Sequence, residues 1–251
     1  MGAYKDFSSL IVNAAMAQMM PFVEANKTAL GEVLLNHALD LDGPKVLGRA
    51  KHMTSKEAYA ARLSRGWFEV QHSEKALSDT QVYLRRFPFE RTSVRRESYL
   101  QFHIEAYFHE LYVFELRTER FLKMIDRQFR RDPEVPKSKE ICEALMALVK
   151  TTMKVRTEVR GAHVHGEYRL SDEGIDRLSS LGLLSLRGRS KLTLLLRKAY
   201  EREYVLVRRR LLAYVRQANQ DLMALLDAVC EELGKIVFNE DGTLRVPRGI
   251  R

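Results

Sequence analysis

Between Arg95 and Arg131, apolar residues recur every three or four positions: Leu100, Ile104, Tyr107, Phe108, Leu111, Phe114, Phe121, Leu122, Ile125 and Phe129. This is the stripe of a helix with one face against a core. At 1.5 Å per residue such a helix is roughly 50 Å long, which few small folds other than a helical bundle can accommodate. A second pattern of this kind, rich in Leu, Tyr and Val, runs from Ser190 to about Ile236. Between them, Asp132 to Pro136 reads as a loop, and a third helix follows from Ser138 with the stripe Ile141, Leu145, Leu148, Thr152, Val155 and Val159, degrading near Gly161 to Gly166.

The rest of the chain reads the same way. Thirteen glycines and six prolines punctuate 251 residues, and no alternating run is long enough to suggest a sheet. Residues 7–39 form one or two helices, with Pro21 either kinking the segment or starting the second. Asp40 to Pro44 breaks the pattern. Thr54 and Glu57 form a capping box, opening a helix to about Glu69, and a further short helix fits Ser73 to Arg86. Another covers Ser171 to Leu184, and the tail from Phe238 reads as loop or disorder. The expected fold is all-α, an antiparallel helical bundle with two very long helices. The expected division is an N-terminal helical segment over 1–90, a bundle over 91–237 and a tail over 238–251.

Neither a signal peptide nor a myristoylation pattern fits the N-terminus. No run approaches the roughly 18–20 apolar residues of a membrane span. Cys142 and Cys230 stand alone on apolar helical patterns, without a CxxC pair, and read as core thiols of a cytoplasmic protein.

Charge gives the first hint of a partner. There are 42 Lys and Arg against 33 Asp and Glu, a net charge of +9. Residues 1–60 are balanced, with six of each sign, whereas residues 189–217 carry nine basic side chains against two Glu. Arg197, Arg202, Arg208, Arg209 and Arg210 lie on this helix, where a basic stripe can track phosphates. Tyr200, Tyr204 and Tyr214 are placed either to stack on bases or to pack in the bundle.

The segment Val155 to Leu170, VRTEVRGAHVHGEYRL, concentrates two Arg and two His within ten residues. On a continuous helix Arg156, Arg160 and His163 share one face. His165 lies about 140° round from Arg160, and joins that face where the helix ends or distorts. Cleavage of RNA needs a base for the 2′-hydroxyl and an acid for the leaving oxygen. Histidine serves either role near neutrality, and arginine stabilises charge developing on phosphate oxygens. No metal or cofactor is needed. The alternative is that the histidines are surface residues at a helix end, where cations are favoured. Metal binding is the weaker alternative, with His163 and His165 joined by His103, Glu105 and His109. A di-iron bundle needs two Glu-x-x-His motifs, and Glu69-Val-Gln-His72 supplies one.

A bundle with Arg-x(4–6)-His near the end of a long helix resembles the HEPN superfamily. Arg160-Gly-Ala-His-Val-His165 has the four-residue spacing and Arg156 to His163 the six-residue one. Tyr99-Leu-Gln-Phe-His-Ile-Glu105, leading the aromatic-rich helix, is also similar to helices of that superfamily. Arg65/His72 and Arg96/His103 have related spacings without the helix-end setting. The resemblance covers roughly residues 95–237. It departs at Gly161, where the family often has Asn or Asp, and His163 is the residue positioned to substitute. For active members it implies metal-independent endoribonuclease activity, with Arg160 and His165 catalytic and Arg156 and His163 assisting, in a homodimer cleft. Many belong to toxin–antitoxin or antiphage systems, so an antitoxin would be a partner. For inactive members it implies RNA or nucleotide binding, or a structural and interaction role.

Overall fold

The computed structural model describes residues 2–38, 52–86, 94–165, 173–185 and 191–250, with the side chains of 29, 31–38, 155–165 and 185 left out. Six α-helices account for nearly all of it: α1 (Ala3–Ala38), α2 (Ser55–Arg85), α3 (Arg96–Phe129), α4 (Ser138–His165), α5 (Glu173–Ser185) and α6 (Lys191–Val237). Among the described residues there is no strand, only an isolated bridge between Phe238 and Leu244. No helix among them is long and apolar enough to cross a membrane.

Several elements are longer than the sequence pattern suggests. Pro21 lies inside a single continuous α1, although it removes one intrahelical donor. The two short helices expected over 54–86 are one 31-residue helix. Its start is the expected capping box: the Thr54 amide donates to Glu57 Oε2 at 2.6 Å, and the Glu57 amide donates to Thr54 Oγ1 at 3.3 Å. Helix α4 does not degrade at Gly161 but continues to His165.

The contacts fix helix directions within each stretch. Tyr59 of α2 meets Phe129 of α3, and Trp67 meets Phe121. Further along α2, Ser73 receives a hydrogen bond from Arg117, and Tyr83 stacks on His103. Rising numbers on α2 meet falling numbers on α3, so the pair is antiparallel. Ser138 Oγ donates to the Phe129 carbonyl at 2.8 Å, and Lys150 pairs with Glu119 at 3.4 Å, which makes α3 and α4 antiparallel as well.

The chain divides into two compact units. Unit 1 comprises Met1–Glu69, Arg120–Met146 and Leu226–Arg251; unit 2 comprises Val70–Glu119 and Ala147–Leu225. Trp67 is the centre of unit 1. It is fully buried, touches Tyr4, Phe7 and Phe121, and donates its indole N–H to Ser8 Oγ at 3.1 Å, the partner that a buried Trp requires. Asp227 of α6 accepts the Tyr4 amide at 2.8 Å, and so satisfies one of the orphan donors at the start of α1. A Cβ on Gly2 would come within 2.7 Å of that carboxylate, so the close approach depends on glycine.

The chain after α6 is ordered. The Asn239 amide donates to Thr243, and the Arg245 amide to Val237, around a turn where Gly242 takes φ +78°, which favours glycine. The Arg245 guanidinium donates to the carbonyls of Lys235 and Ile236 at 3.0 and 3.2 Å, completing the exposed end of α6.

In unit 2, all of the α3 stripe from Leu100 to Phe114 is buried. A polar link crosses this core. Tyr107 donates to Asn219 Oδ1 at 2.8 Å, and Asn219 donates from Nδ2 to the Leu77 carbonyl at 3.1 Å, tying α2, α3 and α6. The α4 stripe differs from expectation. Cys142, Leu145, Val149 and Met153 are buried, whereas Leu148 is 41% exposed. Two overlapping stripes exist on this helix, and the one containing the polarisable Cys and Met faces inward. Burial pushes the Cys142 thiol up to about 12, so it is a packing group and a poor nucleophile at neutral pH.

Candidate nucleic-acid interface

Helix α6 from Lys191 to Leu225 belongs to unit 2. Its buried residues are Thr193, Tyr204, Val207, Leu211, Val215, Ala218, Asn219, Leu222 and Leu225. These lie at helical spacing and define the inner face. Lys198, Arg202, Arg209 and Arg216 are all exposed. At 100° per residue they fall within about 40° of one another, roughly 150° from the inner face. Over 18 residues they form a basic ridge about 27 Å long.

The two glutamates of this stretch do not neutralise the ridge. Glu201 pairs with Arg96 at 2.6 Å, and Glu203 with Arg177 at 3.8 Å. A row of cations pointing away from the core is an electrostatic track for a polyanion.

Of the residues expected on this surface, Arg202 and Arg209 stand on the ridge. Arg197 and Arg210 are exposed at other angles of the helix. Arg208 does not belong to an open surface. It turns inward over the Tyr204 ring, 5.5 Å from its centroid, and its Nε is buried with no hydrogen-bond partner among the described residues. Lys198 and Arg216 complete the ridge and were not among the residues singled out. The i, i+4, i+11, i+18 spacing from Lys198 would have found them.

The tyrosines divide between packing and exposure. Tyr204 is 5% exposed and lies between the guanidiniums of Arg96 and Arg208, so it offers no open face to a base. Tyr200 donates to Glu97 Oε2 at 2.9 Å, and burial together with that carboxylate raises its pKa. Glu97, itself buried, also pairs with Arg95 at 2.7 Å. Tyr214 is 38% exposed and rests on Phe108.

Arg156, Arg160, His163 and His165 lie on the last three turns of α4, and their side chains are outside the described residues. The helix register puts Arg156, Arg160 and His163 on one face. With no break at Gly161, His165 is the final helical residue, about 140° from Arg160. The second half of α4, from Ala147, and the basic part of α6 belong to the same compact unit.

The described pair Arg96/His103 shows that an Arg-x(6)-His spacing can be structural. Arg96 is bound to Glu201 and Tyr204. His103 stacks on Tyr83 at 5.1 Å and meets Tyr99 edge-on at 4.3 Å, and burial lowers its pKa. Among the described residues no three His, Cys, Asp or Glu side chains converge as metal ligands. The chain matches no family model, and no curated protein or solved structure is similar to it.

Proposed function

We propose that this chain is a HEPN-like helical protein that acts on RNA, as a metal-independent endoribonuclease. The observation that supports it is the α6 ridge of Lys198, Arg202, Arg209 and Arg216, in the same unit as the Arg- and His-rich end of α4. The ridge holds phosphates by charge, without reading sequence. Arg160 stabilises the charge that develops on the scissile phosphate, and His165 exchanges the proton with the 2′-hydroxyl or the leaving oxygen. Arg156 and His163, on the same helix face as Arg160, assist. A homodimer would bring two such helix ends together, and an antitoxin would be the natural regulator.

The test is cleavage of single-stranded RNA in EDTA. The intact protein should cut it, and Arg160→Ala or His165→Ala should slow cleavage about 10²- to 10⁴-fold with RNA affinity largely kept. Cleavage that is absent, or indifferent to both changes, ends the catalytic reading.

A second reading is a non-catalytic RNA-binding module. It is favoured specifically by the ridge, which needs no histidine. Salt-dependent binding that Arg202→Gln with Arg209→Gln weakens, in the absence of any cleavage, would select it. A stable dimer with no RNA affinity would leave a structural or interaction role.

A further inference from the structure

A second concentration of positive charge lies in unit 1, apart from the α6 ridge in sequence and in composition. Where α3 ends, Lys123, Arg127, Arg130 and Arg131 follow one another at i, i+4, i+7 and i+8. Lys123 and Arg127 on the last turns of α3, and Arg130 and Arg131 in the turn that follows, line a cleft of about 670 Å³, which Arg248 of the C-terminal segment completes. The volume falls within the range of small-molecule sites.

Two carboxylates also line the cleft, and both are already committed. Asp126 is 4% exposed and takes the Arg130 guanidinium on both oxygens, Oδ1 at 3.2 Å from Nε and Oδ2 against a terminal nitrogen. Asp132 is equally buried. Its Oδ1 accepts the Glu134 amide at 3.1 Å, and its Oδ2 accepts the Arg248 amide at 3.0 Å. The two acids therefore build the walls: one fixes Arg130 and the other anchors the C-terminal segment that carries Arg248. Among the described residues no carboxylate pairs with the Arg127, Arg131 or Arg248 side chains. The cleft lining thus carries five cations against two carboxylates.

The lining also says what kind of anion fits. Among the described residues it contains no aromatic ring, and Met146 is its one large apolar side chain. A base or sugar ring finds nothing to stack on, so recognition rests on charge and on the forked donors of arginine, which match phosphate oxygens two at a time. Several guanidiniums within one small cleft suit adjacent phosphates better than a single one.

We infer that the unit 1 cleft bounded by Arg127, Arg131 and Arg248 binds an oligophosphate group. Such a group comes either from a free nucleoside triphosphate or from the 5′-triphosphate end of an RNA. The inference does not depend on the α4 histidines or the α6 ridge.

The probe is sodium tripolyphosphate, titrated calorimetrically into the intact chain at about 0.15 M salt, where longer-range attraction is screened. One equivalent should bind. Arg127→Gln combined with Arg131→Gln should weaken binding at least roughly tenfold, as should Arg248→Gln, since each removes charge-assisted bonds. These side chains are exposed, and circular dichroism of each variant checks that the fold is kept. Arg209→Gln on α6 should leave tripolyphosphate binding unchanged. ATP and a short 5′-triphosphate RNA then separate the two sources, and tighter binding of either one supports the inference and names the source. No binding of tripolyphosphate overturns it. So does binding that the cleft variants do not alter, or a 5′-hydroxyl RNA binding the cleft as tightly as its 5′-triphosphate counterpart.

Discussion

The two compact units share α2, α3, α4 and α6, with α1 in unit 1 and α5 in unit 2, and are held together differently. Unit 1 is centred on aromatic packing, with Trp67 among Tyr4, Phe7 and Phe121 and a single hydrogen bond to Ser8. Unit 2 adds polar links through its core: Asn219 between Tyr107 and Leu77, and Glu97 between Arg95 and Tyr200. Apolar packing is non-directional and tolerates small shifts, whereas hydrogen bonds in a low-dielectric core require defined geometry and full satisfaction. Unit 2 should therefore be the more sensitive to chemistry, and unit 1 the more sensitive to volume.

The largest test is Trp67→Ala, which should cost about 3–5 kcal/mol through the cavity it leaves, read by denaturant unfolding followed by circular dichroism. A loss below about 1 kcal/mol would show that the ring is not central. Next comes Asn219→Leu, matched in branching but not in polarity. It removes the Asn219 acceptor from the buried Tyr107 hydroxyl and the Asn219 donor from the Leu77 carbonyl, and should cost about 1–3 kcal/mol, with Tyr107→Phe recovering part of the loss in the double variant. An additive double variant would break the contrast between the units. Because the chain has a single Trp, native fluorescence reports on unit 1, while circular dichroism reports on all helices. If the two curves for Asn219→Leu separate, the units respond independently; coincident curves would mean that they unfold as one.

Asp227→Ala removes the acceptor at the start of α1 and should cost about 1 kcal/mol, seen as faster amide exchange over the first turn. The smallest expected effect is a pH dependence in unit 2. Burial lowers the pKa of His103 below its ordinary 6.5. The unfolded chain takes up the proton first, so stability is full above that ordinary value and falls as pH drops through it. His103→Gln should narrow the difference in Tm between about pH 7.5 and 5.5. A difference as wide in the variant as in the parent would assign it to other groups.

Helix positions were readable from the sequence because the α3 and α6 stripes are long and regular. Every residue of the α3 stripe from Leu100 to Phe129 is buried. Helix lengths were less readable. The break placed between Glu69 and Ser73 does not occur, because Val70 and Ser73 are both buried and tertiary packing carries α2 through a polar stretch. On α4 the competing stripes could be separated only by knowing which face meets the core.

The candidate surfaces show the same limit. Helical arithmetic alone finds the ridge of Lys198, Arg202, Arg209 and Arg216, since it depends on one helix. It places Arg208 one turn beyond Tyr204, on whose ring it rests, but cannot reveal that Arg96 of α3 lies over the same ring. Still less can it join Arg127 to Arg248, which are brought together by the chain reversal after α6 and by Asp132.

That reversal has a practical corollary. The last turn of α6 is finished by Arg245, eight residues beyond Val237, and Phe238 of the same segment lies edge-on against Phe7. A shortened version ending where the helix ends would lose both its terminal cap and an aromatic closure for α1. The smallest piece worth producing in isolation therefore extends at least through Arg245, and an affinity tag is better joined after a spacer than fused directly to Val237.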